Sequence, residues 1–470
     1  MNHQATNQPD LDGQHHSALV IGGGQAGLSM SYCLGQRGIG HLVLEAQTIA
    51  HEWRDRRWDS FCLVTPNWQC LLPGYPYPGD DPHGFMLRDE IVSYLEGYAR
   101  SFGPPVAEHT TATRLAQLPP RPDHGGGFEV RTTRGTLTAD QVVLATGPYQ
   151  VPLTPRIAQR LPDDMRQVHS ADYRSPAQLP PGAVLVVGTG QSGGQIAEDL
   201  HLAGRTVHVA TGSAPRVARF YRGRDVVDWL AGMGYYARGI EEFDDADAVR
   251  FRANHYVTGR DGGRDIDLRA FARDGMRLHG RLDGISGTTL DFAGDLRRNL
   301  DQADAVSESI KDSIDAYIHA QRIVAPHETR YKPVWEPGDG PTQIDLRTAG
   351  ISTVIWATGF GRDCRWIEVP VFDGRGYPTH RRGVTSCDGL FVLGLPWQHT
   401  WGSGRLSGVG DDAGYLADRI AAGLTRRLTR RARNGTAPHD AASAEVHWLA
   451  GTPGSTWPRD EEWAAPRTVA

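Results

Sequence analysis

Residues 18–46, ALVIGGGQAGLSMSYCLGQRGIGHLVLEA, set an apolar run, a glycine-rich turn, a helix-length stretch and a second apolar run in that order. The first run, SALVIGG, is short and unbroken enough for a strand buried on both faces, and HLVLEA, after Gly38 and Gly40, reads the same way. The order strand, turn, helix, strand predicts a βαβ unit. Gly22, Gly24 and Gly27 fit the spacing G-x-G-x-x-G, with Gln25 and Ala26 opening the helix. The first glycine permits a tight turn, the second lets backbone N–H groups approach a pyrophosphate at the positive helix end, and the third allows close helix–strand contact. Glu45 closes the second strand 23 residues after Gly22, where a carboxylate accepts hydrogen bonds from a ribose diol.

Residues 184–210, VLVVGTGQSGGQIAEDLHLAGRTVHVA, repeat the same order. Gly188, Gly190 and Gly193 take the three glycine positions, and Gln191 and Ser192 stand at the helix opening. The two units differ at the end of the second strand, where ATGSAPRVARFYRGR (210–224) offers no carboxylate. An acid there repels a ribose 2′-phosphate, whereas small hydroxyl residues followed by arginines leave room and supply forked donors. The second unit therefore favours NADPH over NADH, with Thr211, Ser213, Arg216, Arg219, Arg222 and Arg224 as the candidate ligands. The glycine pattern by itself does not separate FAD from NAD.

Two further stretches match each other. QVVLATGPYQVP (141–152) and TVIWATGFG (353–361) each place Ala-Thr-Gly after a short apolar strand. They read as paired crossings between two domains, with Thr146, Gly147 and Gly359 beside the dinucleotides. Leu296, Leu300, Ala303, Val306, Ile310, Ile314 and Tyr317 recur every three or four residues and predict one long helix with a single apolar face. The expected fold is α/β with two Rossmann-like dinucleotide-binding domains. The first comprises 17–165 and 353–425, and the second 166–352 with an insertion at 214–350. Residues 1–16 and 426–470 read as tails.

The chain has 470 residues, ample for two cores. Its 49 basic and 55 acidic residues give a net charge of −6 without a basic field, which argues against nucleic acid and anionic membrane as partners. No apolar run approaches the roughly 20 residues of a membrane helix. Five scattered cysteines form no CxxC pair and no metal-ligand spacing, which fits a reducing compartment and predicts a cytoplasmic protein without a metal. Composition says nothing of oligomeric state.

The combination of GGGQAG, GTGQSG, ATGPYQVP, ATGFG and HSADYRSP (169–176) resembles the class B flavin monooxygenases: flavin-containing monooxygenases, N-hydroxylases and Baeyer–Villiger enzymes. HSADYRSP is similar to the end of that family's linker fingerprint at His169 and Tyr173, while Asp163 and Met165 depart from its front half. The resemblance implies FAD in the first unit and NADPH in the second. It further implies a small-molecule substrate and O2, and oxygen transfer through a C4a-(hydro)peroxyflavin. Trp53 and Arg54 are then expected to flank the flavin and Asn67 to face it. Asp411 and Asp412, at a helix start after Gly410, are expected near the flavin's pyrimidine edge. Arg405, Trp397, His399 and Trp401 are expected around the substrate. Tyr173 in place of Trp favours oxygenation at nitrogen or sulfur over a ketone. A disulfide or quinone reductase, or a non-catalytic flavin sensor, is the alternative.

Overall fold

A computed structural model describes residues 10–119, 126–338 and 340–433. Its largest sheet is built around β1 (His15–Ile21). Ala18 and Val20 enter one apolar cluster and Leu19 and Ile21 another, so both faces of the strand are covered. That is why the run is continuously apolar rather than alternating. After Gly22, at φ +111°, the chain enters α1 (Gln25–Gly35) and returns as β2 (His41–Leu44), parallel to β1. On the other side of β1 lies β3 (Gly135–Leu144), also parallel, with Leu144 opposite Ile21.

The second sheet repeats the pattern with β4 (Ala183–Val187), α2 (Gln191–Leu202) and β5 (Val207–Ala210). Beyond them come α3 (Leu296–Gln321), β6 (Ile351–Trp356) and α4 (Val409–Arg433). The sheet runs Arg166–His169, β6, β4, β5, Arg277–His279, all parallel. The final helix, α4, returns to the first unit and packs on α1, where Arg37 Nε donates to Asp418 Oδ1 at 2.8 Å.

Four details depart from the sequence reading. β6 pairs with β4 in the second sheet, so residues 353–356 are built into the second unit and the crossing back begins only at Ala357. Leu11 is buried, and Gly13 N donates to Thr136 O at 2.8 Å, so the chain is held against β3 from before residue 16. α4 continues past 425 to Arg433 because its buried Ala417 and Ile420 are followed by a polar helical extension. In α3 the middle of the buried stripe is Ser307 and Lys311 rather than Val306 and Ile310. Asp304, one turn before Ser307, pairs with the buried Arg216 and Arg269. Residues 1–9 and 434–470, the remainder of the expected tails, lie outside the described residues.

The two Ala-Thr-Gly crossings touch. Val151–Pro152 pairs antiparallel with Phe360–Gly361, and Thr358 Oγ1 donates to Leu153 O at 2.5 Å. The two segments that join the units thus form one two-stranded hinge.

Candidate functional site between two glycine turns

Each glycine turn is seated on the crossing that follows its own sheet. A Cβ on Gly22 would stand 2.4 Å from the Ala145 carbonyl oxygen, and one on Gly188 2.6 Å from that of Ala357. One on Gly27 would stand 1.8 Å from Gly22 O, and one on Gly193 1.9 Å from Gly188 O. These four positions are packing requirements. Gly24 and Gly190, the N-caps of α1 and α2, instead face open space, with nothing within 4 Å of an added Cβ. Neither helix start has a side-chain cap or an acid in its first turn. Free N–H donors, a positive helix end and room beside the backbone are what a pyrophosphate needs.

The strand ends differ as the sequence indicates. Glu45 accepts from Gly23 N at 2.6 Å and from Gln47 N at 2.8 Å, so its carboxylate is fixed beside the turn. At the matching place Thr211 is buried and donates to His279 O at 2.8 Å, with Asn299 Nδ2 donating to it at 3.2 Å. Ser213 is exposed just beyond. Arg216 and Arg219 are not at this mouth. Arg216 is buried, with Nε on Asp304 Oδ1 at 2.5 Å, and Arg219 is buried against Asp225 and donates to Val64 O at 2.7 Å. Charges placed on an apolar-facing segment are driven to paired carboxylates, which removes both from phosphate recognition. Arg222 pairs with Asp315 at 2.8 Å, and Arg224 lies over the Trp229 ring.

A string of hydrogen bonds crosses from one turn to the other. Gln25 Nε2, on the first residue of α1, donates to Gly404 O at 3.2 Å. The next residue, Arg405, donates through Nη2 to Asn254 Oδ1 at 2.9 Å. Three residues on, Val257 O accepts at 2.7 Å from Gln191 Nε2, on the first residue of α2. Arg405 therefore lies on the chain of contacts that links the two helix starts. The insertion contacts the first unit. Ile240 N donates to His399 O at 2.6 Å, Trp68 Nε1 donates to Asp228 Oδ1 at 2.9 Å, and Arg219 lies over the Phe85 ring.

Several residues expected in the cleft belong to its frame. Tyr173 is fully buried, and its hydroxyl donates to Asp199 Oδ2 at 2.7 Å. The same carboxylate accepts from Ser60 Oγ at 2.5 Å and Arg260 Nη1 at 2.9 Å, joining four segments. Asn67 is buried with its amide across one loop, donating to Asp81 O at 2.9 Å and accepting from Met86 N at 3.1 Å. Both side chains are buried with their polar atoms engaged by the frame, which argues against the expected catalytic role for either. Arg54 is a strut, bonded to Thr48, Ile49 and Glu96, whereas Trp53 is half-buried under the Arg57 guanidinium, 5.2 Å from its ring centre. Arg57 was hidden in the sequence by the basic run RDRR, in which one arginine looks like the next.

The remaining assignments fall on the hinge and at the last helix. His169 clasps the hinge, with Nε2 3.1 Å from Gly359 O and Nδ1 accepting from Ala171 N at 3.1 Å. Burial lowers its pKa and keeps the ring neutral, as two bonds of this kind require. Thr146 Oγ1 accepts from Gln150 Nε2 at 2.8 Å and Gly147 follows at φ +68°. In the first turn of α4 Asp411 is exposed and Asp412 is buried, 3.2 Å from Arg382. Burial holds the Asp412 carboxyl above its ordinary range. A Cβ on Gly410 would stand 2.8 Å from Pro73 Cγ, so the helix start is pressed against the loop that follows Asn67.

Among the described residues all five cysteines are free thiols. Burial pushes Cys33 up to about 11 and Cys62 and Cys70 up to about 12. Thiols so protonated are poor nucleophiles. No helix among the described residues is long and apolar enough to cross a membrane.

Comparison with known proteins agrees with this geometry. Residues 19–231 match the pyridine nucleotide-disulphide oxidoreductase family. The chain is 33% identical over 407 residues to an uncharacterized CzcO-like oxidoreductase of Geobacillus kaustophilus, covering 86% of this chain and 97% of the relative. It is 34% identical over 197 residues to an indole-3-pyruvate monooxygenase of Oryza sativa subsp. japonica, covering 39% of this chain and 44% of the relative. Among solved structures, a flavin-containing monooxygenase from Stenotrophomonas maltophilia superimposes with a TM-score of 0.59 at 20% identity, covering 87% of this chain and 99% of that one.

Proposed function

The chain belongs to the family of CzcO-like oxidoreductases and has the fold of a flavin-containing monooxygenase, and from that premise we propose that it is an FAD-dependent, NADPH-consuming monooxygenase acting on a small molecule at nitrogen or sulfur. The observation that carries this reading is the pair of open helix starts, with a fixed carboxylate at the strand end beside the first and none beside the second.

The residues present fit both dinucleotides. Gly24 and the start of α1 would hold the FAD pyrophosphate, and Glu45 its ribose diol. Gly190, Gln191 and Ser192 would hold the nicotinamide cofactor's pyrophosphate. The open strand end at Gly212 and Ser213 leaves space for a 2′-phosphate. Bound together, flavin and nicotinamide cofactor supply the electrons with which one atom of O2 is transferred to substrate.

The chain's own work is placement and exclusion of water. The hinge formed by the two crossings sets the distance between the units. His169 holds that hinge through Gly359, and the Asp199 network locks α2 to the linker and to the 60s loop. The insertion is tied to the first unit through Ile240 on His399 and Trp68 on Asp228, contacts that would help keep water from the reacting atoms. Positioning of this kind, rather than a nucleophile or a carboxylate pair, is what oxygen transfer asks of the protein. The preference for a heteroatom rests on the linker ending in Tyr173.

Two measurements test the proposal. Purified protein should carry FAD or be reconstituted with it, and rapid mixing should show faster flavin reduction by NADPH than by NADH. Protein that cannot be loaded with FAD would sink the whole reading, and equal reduction by NADH would remove the cofactor preference. Incubation of amines, sulfides and cyclic ketones with isotopically labelled O2 then identifies the chemistry. Label in an N- or S-oxide is expected, and label confined to lactone would instead establish a Baeyer–Villiger enzyme.

A further inference from the structure

The second unit and its insertion meet the first unit along two seams of unequal strength. The seam against residues 60–85 rests on the buried Asp199 and Arg219. Asp199 accepts from Ser60 at 2.5 Å, and Arg219 pairs with the buried Asp225 while donating to Val64 O at 2.7 Å. A Cβ on Gly259 would stand 2.1 Å from Leu63 O, so backbone presses on backbone there. The seam against residues 375–405 is made by residues 241–254, none of which is buried. Asp247 accepts from Arg375 at 2.6 Å, with both side chains more than half exposed. Phe251, itself 47% exposed, stands edge-on to the Tyr377 ring at 5.4 Å, and Asn254 accepts from Arg405 at 2.9 Å. This weak stretch lies between two firm anchors. Before it, Gly239 forms an antiparallel bridge with Thr400, and the buried Ile240 donates from N to His399 O at 2.6 Å. After it, residues 256–259 are all buried, and Val257 O accepts from Gln191 and Gln195 of α2 at 2.7 and 3.1 Å.

Opening the first seam strands charges in the interior, whereas an exposed ion pair contributes little and is screened by salt. Segments with few buried contacts open locally while their surroundings stay folded, and a stretch fixed at both ends swings about those ends. The stretch is also acidic: Glu241, Glu242, Asp244, Asp245 and Asp247 outnumber Arg250 and Arg252. The first unit meets it with Arg375 and Arg405, so attraction between surface charges holds it shut. We propose that residues 241–254 are a flap, latched to Arg375, Tyr377 and Arg405, that opens while its two anchors stay in place and so gates exchange of the nicotinamide cofactor at the start of α2. The flap ends three residues before the carbonyl that Gln191 holds, and its last contact is Arg405, the neighbour of the Gly404 carbonyl that Gln25 holds. One mobile stretch thus carries the link between the two helix starts. The gating role rests on the dinucleotide reading of the second turn, and the opening of the flap does not.

Hydrogen exchange of the full chain, read by mass spectrometry, tests the flap. Amides of 241–254 should exchange at least about tenfold faster than those of 256–259, and Asp247→Asn or added salt should speed the first set and leave the second unchanged. For the gate, Asp247→Cys and Arg375→Cys are combined with Cys364→Ser and Cys387→Ser and joined by a short bismaleimide. The same protein capped with N-ethylmaleimide is the control for the substitutions. Mixed with NADP+ and followed by tryptophan fluorescence, the joined protein should show association and dissociation each slowed at least about tenfold with Kd unchanged, because a gate alters rates and leaves the equilibrium alone. Exchange in 241–254 as slow as in 256–259, or indifferent to salt and to Asp247→Asn, would overturn the flap. Unaltered NADP+ rates in the joined protein would overturn the gate, and so would a weakened Kd with association kept, which would make the segment a cofactor ligand. Protein that binds neither NADP+ nor NAD+ would sink the dinucleotide reading, and hydrogen exchange would still decide the flap, so the two failures are seen separately.

Discussion

The two glycine turns are nearly superimposable in what they forbid and opposite in what they offer. Both press their third glycine against the first, with 1.8 and 1.9 Å left for a Cβ, and both rest their first glycine on the carbonyl of an Ala-Thr-Gly crossing. At the ribose end the first turn presents a carboxylate clamped by two backbone N–H groups, whereas the second presents a threonine already bonded to His279 and Asn299. Conformation is thus duplicated and recognition is not. A βα turn is a reusable anion cradle, and the residue one strand later decides which nucleotide it accepts.

The comparison breaks most sharply within each turn. Gly27→Ala and Gly193→Ala each drive a methyl into a backbone oxygen that cannot yield, and should cost about 3 kcal/mol or more of stability. Gly24→Ala and Gly190→Ala meet open space and should stay within about 0.5 kcal/mol of the parent while losing dinucleotide. Denaturant unfolding together with cofactor retention separates the two classes. If all four variants unfold alike, the distinction between packing glycines and ligand-facing glycines is wrong.

Asp199→Ala tests whether the second turn is held to the rest by one carboxylate. It strands the Tyr173 hydroxyl, Ser60 and Arg260 in the interior, and about 3 kcal/mol of stability should go. Tyr173→Phe should cost less, about 1 kcal/mol, since Arg260 and Ser60 still satisfy Asp199. Equal losses in the two variants would place the Tyr173 hydroxyl at the centre of the network.

Glu45→Gln sharpens the difference at the ribose ends. Replacing a charged acceptor with a neutral one should weaken FAD by about 1.5 kcal/mol, or roughly tenfold, with NADPH binding unaffected. Equilibrium dialysis of the two cofactors reads this directly, and a parallel loss of NADPH would show that the turns are not independent.

A pH-dependent effect lies under the second turn. His208 and His279 stack with Nδ1 and Nε2 3.0 Å apart, and burial pushes them down to about 3 and about 4. Their folded pKa values lie below the unfolded value of about 6.5, so the native state is fully favoured above pH 6.5 and loses stability as pH falls from there toward 4. Each ring contributes about 1.4 kcal/mol per pH unit while it stays neutral. Unfolding free energies at pH 7, 6 and 5 should fall accordingly, and His279→Phe should flatten the slope.

The geometry of the turns was legible in part. The glycines, Glu45 and the Ala-Thr-Gly crossings announce themselves because their roles are local: a turn, a helix start and a strand end lie within about 25 residues of one another. Arg216 and Arg219 were misleading for the opposite reason. A sequence displays a charge but not its partner: Arg216 pairs with Asp304, 88 residues further along, and Arg219 binds Asp225 and the carbonyl of Val64, 155 residues back. Tyr173 and Asn67 stand at positions that point to a cleft, yet both are buried in the frame that supports it.

What the sequence determined by itself is therefore the pair of glycine turns, their order along the chain and the residue that ends each second strand, since periodicity and short motifs encode local geometry. Tertiary structure alone decided which arginines are spent in ion pairs, that β6 belongs to the second sheet, and that the insertion contacts the first unit. Each of those outcomes depends on groups far apart in the chain being desolvated together, and the cost of burying a charge is set by the neighbours that folding brings to it.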